Sequence, residues 1–93
     1  MTDSLVQVFV NPTAGRGRAG KRLPRIEALF REAGEAFATH LSNDVGALEQ
    51  QVRKAVSGGA DRVVVGGGDG SVHEAVNGIM AASGTARLGV IPT

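Results

Sequence analysis

A chain of 93 residues, 42% hydrophobic and 20% charged, has room for one small domain with a thin core, and its balance is globular rather than disordered. A formal charge of +1, no Trp, no Tyr and three Phe place no demand for nucleic acid and leave little aromatic surface for stacking on bases or entering a membrane interface. The absence of cysteine excludes disulfides, thiolate catalysis and cysteine-ligated metal sites. No apolar run is long enough to span a bilayer and no stretch reads as a signal peptide, so a soluble cytoplasmic protein is the expectation.

Leu5 to Val10 is a β-branched apolar run stopped by Asn11-Pro12, which predicts a first strand. Thr13 to Gly17 is turn material. Leu23, Ile26, Leu29, Phe30 and Ala33 then mark one face of a helix ended by Gly34. Pro24 suits the first turn of that helix, which leaves its start open over residues 18–22. Basic residues bunch here, with Arg16, Arg18, Lys21, Arg22 and Arg25 suited to phosphate, to acidic headgroups or simply to solvent.

Glu35 to His40 predicts a second strand with Phe37 in the core. Ser42, Asn43 and Asp44 are candidate caps for a second helix carrying Val45, Leu48, Val52, Ala55 and Val56 and ended by Gly58-Gly59. Arg62 to Val65 predicts the third strand, which runs into Gly66-Gly67-Gly68-Asp69-Gly70-Ser71. Val72, Ala75, Val76, Ile79 and Met80 restart a helical stripe, and Ser71 with Glu74 has the spacing of a capping box. Leu88 to Ile91 predicts a fourth strand stopped by Pro92. The order β-α-β-α-β-α-β predicts a three-layer, Rossmann-like α/β domain on a parallel sheet, with ligands at the carboxyl ends of the strands.

Strand, glycine turn and helix start together make an anion site, because glycines admit close backbone approach and the first N–H groups of a helix are unpaired. Asp69 is out of place in a plain phosphate cradle unless a cation or a proton transfer gives it a task. Two other patterns are weaker. Gly15-x-Gly17-x-x-Gly20 spells a dinucleotide fingerprint, but His40 lies where the ribose-binding acid should end the second strand. Gly15 to Lys21 approaches a P-loop, yet Arg22 stands where Ser or Thr must ligate magnesium. An exposed helix position is the simpler expectation for His73. The Asn77-Gly78 pair points to close packing or ligand contact, and Met80 and the three Phe are expected in the core.

The combination of Asn11-Pro12-Thr13-Ala14-Gly15, Gly67-Gly68-Asp69-Gly70-Ser71-Val72-His73-Glu74-Ala75-Val76-Asn77-Gly78 and Leu88-Gly89-Val90-Ile91-Pro92-Thr93 resembles the diacylglycerol kinase catalytic domain, a family of bacterial lipid kinases and sphingosine kinases related to NAD kinases. The resemblance covers the whole chain. It implies an NAD kinase-like, nucleotide-binding N-terminal half over residues 1–93, with a β-rich C-terminal half absent. It implies ATP and Mg2+ as cofactors and transfer of the γ-phosphate to a lipid hydroxyl, of a diacylglycerol or a sphingoid base. Asn11, Pro12, Thr13, Gly15 and Gly17 would contact the nucleotide, with Thr93 beside them. Gly67, Gly68, Gly70 and Ser71 would cradle its phosphates, and Glu74 and Asn77 would support the loop or meet the nucleotide. Asp69 would serve in the metal network or as proton acceptor; no dedicated metal ligand set is expected in this chain. The full-length protein would be cytoplasmic and work at the inner face of the membrane, and this chain alone would be inactive. An NAD kinase-like or phosphofructokinase-like enzyme sharing the Gly-Gly-Asp-Gly loop, and a non-catalytic nucleotide-binding module, are the alternatives.

Overall fold

A computed structural model describes residues 5–13, 16–42, 44, 46–82 and 85–92. Strands β1 (Val6–Val10), β2 (Phe37–Leu41), β3 (Arg62–Gly67) and β4 (Arg87–Pro92) alternate with helices α1 (Arg18–Glu32), α2 (Ala47–Ser57) and α3 (Asp69–Ala81). The strands form one sheet in the order β2-β1-β3-β4, and every pairing is parallel. Parallel strands are covered on both faces, which is why Phe9 is buried along with Val8 and Val10 in β1, and Val63 and Val65 in β3 are flanked by a half-buried Val64.

Two clusters divide the core by the period of two along each strand. Val6, Val8 and Val10 pack with Ala19 and Ile26 of α1, while Phe9, Val63 and Val65 pack with Leu48, Val52 and Val56 of α2 and Ala75 of α3. The sheet is thus sandwiched between α1 on one face and α2 with α3 on the other. Phe9, Val8, Val10, Val63 and Val65 are almost completely enclosed, each contributing about 1.5–3 kcal/mol by burial. The two central strands are therefore the best-anchored part of the molecule.

Several local expectations change. Helix α1 begins at Arg18 and holds Pro24 in its interior, because Arg16 at φ 61° and Gly17 at φ 88° turn the chain straight into the helix. Its inward face is Ala19 and Ile26 with Leu23 and Phe30. Leu29 is 48% exposed, and Ala33 is the C-cap. His40 does not end its strand: it sits within β2, stacked on Phe9 with ring centroids 4.7 Å apart and Nε2 2.6 Å from Gln7 Oε1. Helix α2 has no side-chain cap from its own approach; Gly46, at φ 85°, is its N-cap, while Asn43 and Val45 lie outside the described residues.

Strand β3 runs on through Gly66 and Gly67, and α3 begins at Asp69. The glycine turn thereby shortens to Gly68, and Ser71 falls inside the first turn rather than at its cap. No side chain caps α3, so the predicted capping box is not made. Met80 is 71% exposed rather than in the core, because Val72, Ala75 and Ile79 take the inward face. Phe30 and Phe37 are half-buried and pack on each other at 5.6 Å.

Candidate functional site

Helix α1 carries the chain from β1 to β2 on one side, and α3 carries it from β3 to β4 on the other. The connections diverge between β1 and β3, which are neighbours with Val10 opposite Gly66. A crevice opens at such a point, at the carboxyl edge of the sheet. Its two walls are the segment after Val10 and the segment after Gly67.

The first wall is tied down by its own backbone. Asn11 Oδ1 accepts hydrogen bonds from the Thr13 N–H at 3.0 Å and the Thr13 hydroxyl at 2.7 Å, closing an Asx turn. The Thr13 carbonyl accepts from the Gly17 N–H and the Pro12 carbonyl from the Gly20 N–H, each at 3.1 Å. Two orphan donors at the start of α1 are satisfied in this way. A Cβ at Gly20 would lie 2.9 Å from the Pro12 oxygen, so that glycine is required for the loop to sit on the helix. The third glycine of the apparent dinucleotide fingerprint is accounted for by packing alone. Gly15 lies outside the described residues.

The second wall is open. The first helical bond of α3 runs from the Val72 N–H to the Gly68 carbonyl, which leaves the N–H groups of Asp69, Gly70 and Ser71 before it without intrahelical partners. Gly67 is buried at the end of β3, while Gly68, Asp69 and Gly70 are exposed and Ser71 is buried. A Cβ added at Gly68 or Gly70 would meet nothing within 4 Å, and neither residue has positive φ. Gly70 is the telling case. A glycine in a helix costs about 1 kcal/mol relative to alanine, and here neither backbone conformation nor packing offsets that cost. Free space over a glycine backbone, beside unpaired N–H groups at the positive end of a helix, suits a phosphate.

Glu74 and Asn77 are not brought to this cradle. Glu74 Oε1 accepts the Glu49 N–H of α2 at 3.2 Å, capping the neighbouring helix. Asn77 Nδ2 lies 3.2 Å from His73 Nε2, one turn back on the exposed side of α3, instead of bonding to a loop. Gly78 explains why the pair contains a glycine, since a Cβ there would stand 2.6 Å from the Glu49 carbonyl oxygen and 2.9 Å from Val52 Cβ. Helices α2 and α3 are in close backbone contact at that point. The crossed Glu74 cap and the Gly20 contact left no local sequence signal, as both join residues distant in the chain. Thr93 lies outside the described residues.

Asp69 is exposed in the first turn of α3, where the helix dipole favours a carboxylate. No group of three or more His, Asp or Glu side chains poised for a metal occurs among the described residues. One carboxylate beside a turn suited to phosphate nevertheless fits magnesium, which commonly takes one or two carboxylates and completes its shell with water and substrate phosphate.

The family model of the diacylglycerol kinase catalytic domain matches residues 6–93. The chain belongs to that family. It is 33% identical over 86 residues to a diacylglycerol kinase of Bacillus subtilis, covering 92% of this chain and 28% of that protein. It is 29% identical over 86 residues to a diacylglycerol kinase of Staphylococcus aureus, covering 92% and 27%. A crystal structure of a diacylglycerol kinase from Bacillus anthracis superposes with a TM-score of 0.75 and 28% identity over 99% of this chain and 34% of that one. The chain therefore spans less than a third of the length of the B. subtilis and S. aureus relatives.

Proposed function

We propose that this chain supplies the nucleotide side of an ATP-dependent lipid kinase, which transfers the γ-phosphate of ATP to a hydroxyl of a diacylglycerol-like or sphingoid lipid. The observation that carries the reading is Gly70, a helical glycine exposed to open space at the head of α3 and beside Asp69. The ATP phosphates would lie over Gly68 and Gly70 on the free N–H groups of α3, with the Ser71 hydroxyl at the edge. Mg2+ would be held by Asp69 together with those phosphates, and when bound it would neutralise charge on the transferred group. The Asn11-Pro12-Thr13 turn would form the facing wall, held in shape by its own hydrogen bonds.

The acceptor pocket and further charge-neutralising groups would come from the rest of a longer protein, of which residues 1–93 are the N-terminal, NAD kinase-like part. The chain by itself would therefore show no transfer. The full-length protein would be cytoplasmic and meet its lipid at the inner face of the membrane.

The test is label transfer from γ-labelled ATP by the full-length protein to diacylglycerol, a sphingoid base, phosphatidylglycerol and NAD, offered in parallel. Label in a lipid product, lost in Asp69→Asn while ATP binding is retained, is the expected result. Label in NAD alone would overturn the lipid assignment, and undiminished transfer by Asp69→Asn would remove Asp69 from the chemistry.

A further inference from the structure

The face of the sheet that carries Phe9 is covered unevenly. Leu48, Val52 and Val56 of α2 and Ala75 of α3 close over Phe9 of β1 and over Val63 and Val65 of β3. Strand β2 lies at the edge of the sheet, outside β1. It gives Phe37 to the α1 side but, among the described residues, nothing to the cluster under α2 and α3. His40, opposite Phe9 in register, is left on the uncovered margin. A hollow of about 350 Å3 opens there, lined by His40, Gln51, Lys54 and Ala55, a volume at the lower end of the range of small-ligand sites.

The walls of the hollow are held in place. The His40 ring is stacked on Phe9, and its Nε2 lies 2.6 Å from Gln7 Oε1. An amide oxygen only accepts, so this bond puts a proton on Nε2 and fixes the ring. Gln51 Nε2 donates to the Leu41 carbonyl at 3.0 Å, which ties α2 to the end of β2. Gln51 Oε1 is buried without a hydrogen-bond partner, a state rare enough in folded proteins to call for a reason. Lys54, in the last turn of α2, is exposed on the rim. The ion pairs among the described residues join Arg31 to Glu27 and Arg62 to Glu35, and neither engages Lys54. Ala55 is small enough to leave room between the helix and the ring.

These groups select a ligand by two features at once. A ring fixed by a stack on one neighbour can extend that stack to a second flat ring. An ammonium beside an apolar wall attracts an anion more strongly than one surrounded by water. An aromatic anion uses both, whereas a bare anion leaves His40 and Ala55 uncovered and a neutral ring leaves Lys54 unpaired.

We infer that the hollow between α2 and β2 binds a small aromatic anion, with its ring against His40 and Ala55 and its carboxylate or phosphate on Lys54. The site is separate from the phosphate turn after β3, since β1 stands between β2 and β3, and it does not depend on the kinase reading.

The experiment is calorimetric titration of the full-length protein with benzoate and with phenyl phosphate, in the presence of saturating magnesium-ATP so that the crevice is filled. Benzyl alcohol and inorganic phosphate supply the ring and the anion separately. The expected result is a submillimolar Kd for the aromatic anions and binding at least about tenfold weaker for either comparison. Lys54→Gln should weaken binding about tenfold, while Arg53→Gln, which removes equal charge from the neighbouring exposed position, should stay within about twofold of wild type. His40→Phe, which keeps a ring, should lose less than about threefold, and His40→Ala about tenfold. Thermal melts of the four variants check that each is folded. Tighter binding of benzoate or of phenyl phosphate tells which anion the hollow prefers, and either order supports the site. No binding below about 10 mM, binding lost once ATP saturates, or equal losses in Lys54→Gln and Arg53→Gln would overturn the inference. Aromatic anions bound as expected by a protein with no affinity for ATP would reject the kinase reading and leave the hollow standing.

Discussion

Gly78→Ala tests whether the two helices behind the site are packed as tightly as their backbones indicate. The added Cβ would sit 2.6 Å from the Glu49 carbonyl oxygen, 2.9 Å from Val52 Cβ and 3.0 Å from Val52 Cγ1. Carbon-to-oxygen contacts normally stop near 3.3 Å, so α2 and α3 must part by about 0.7 Å. Overpacking of this kind costs about 1–3 kcal/mol. The same separation would stretch the 3.2 Å bond between the Glu49 N–H and Glu74 Oε1 past useful range, at about 1 kcal/mol for a lost cap. Alanine's better helix propensity returns about 1 kcal/mol. The net loss is about 2 kcal/mol, which lowers the melting temperature by about 8–16 °C in a domain of this size. Thermal unfolding followed by circular dichroism, beside wild type, reads this directly. A Gly78→Ala protein that melts at or above the wild-type temperature would refute the packing argument.

Substitutions at three further positions probe other parts of the structure. Glu74→Ala removes the cap on α2 and should cost about 1 kcal/mol in urea unfolding, whereas Glu74→Gln, which keeps an acceptor oxygen, should cost less than half as much. Pro24→Ala restores a backbone donor inside α1 at an exposed position and should raise stability by about 1–2 kcal/mol; a lower melting temperature would show that the proline fixes the helix path. Met80→Gln should change stability by no more than about 0.5 kcal/mol, since the side chain is 71% exposed, and a larger loss would place it in an interface.

The parallel sheet, the order of elements and the common edge of the two loops were legible because each strand is a short, largely apolar run bounded by turn residues and each helix carries an apolar stripe. Boundaries shifted where backbone geometry overrode residue preference. Gly66 and Gly67 read as a turn but continue β3, since they pair with Ile91 and Pro92 of β4. Ser71 and Glu74 had the spacing of a capping box, yet Glu74 is drawn to the N-terminus of α2, a partner that only tertiary structure supplies. Helical periodicity placed Met80 and Leu29 inside because a 3.6-residue stripe is wider than the strip of sheet each helix covers. At the site, sequence identified the glycines but not their separate duties. Gly20 and Gly78 serve packing, and Gly68 and Gly70 are left without a structural reason.

That division makes Gly70→Ala the most direct measurement. The full-length Gly70→Ala protein should melt at or a few degrees above wild type, because alanine improves the helix by about 0.5–1 kcal/mol in open space. Its affinity for magnesium-ATP in a calorimetric titration should fall by at least about tenfold, as the methyl group stands between the phosphates and the backbone. Unchanged ATP affinity in a stably folded Gly70→Ala protein would contradict the placement of the phosphates over α3.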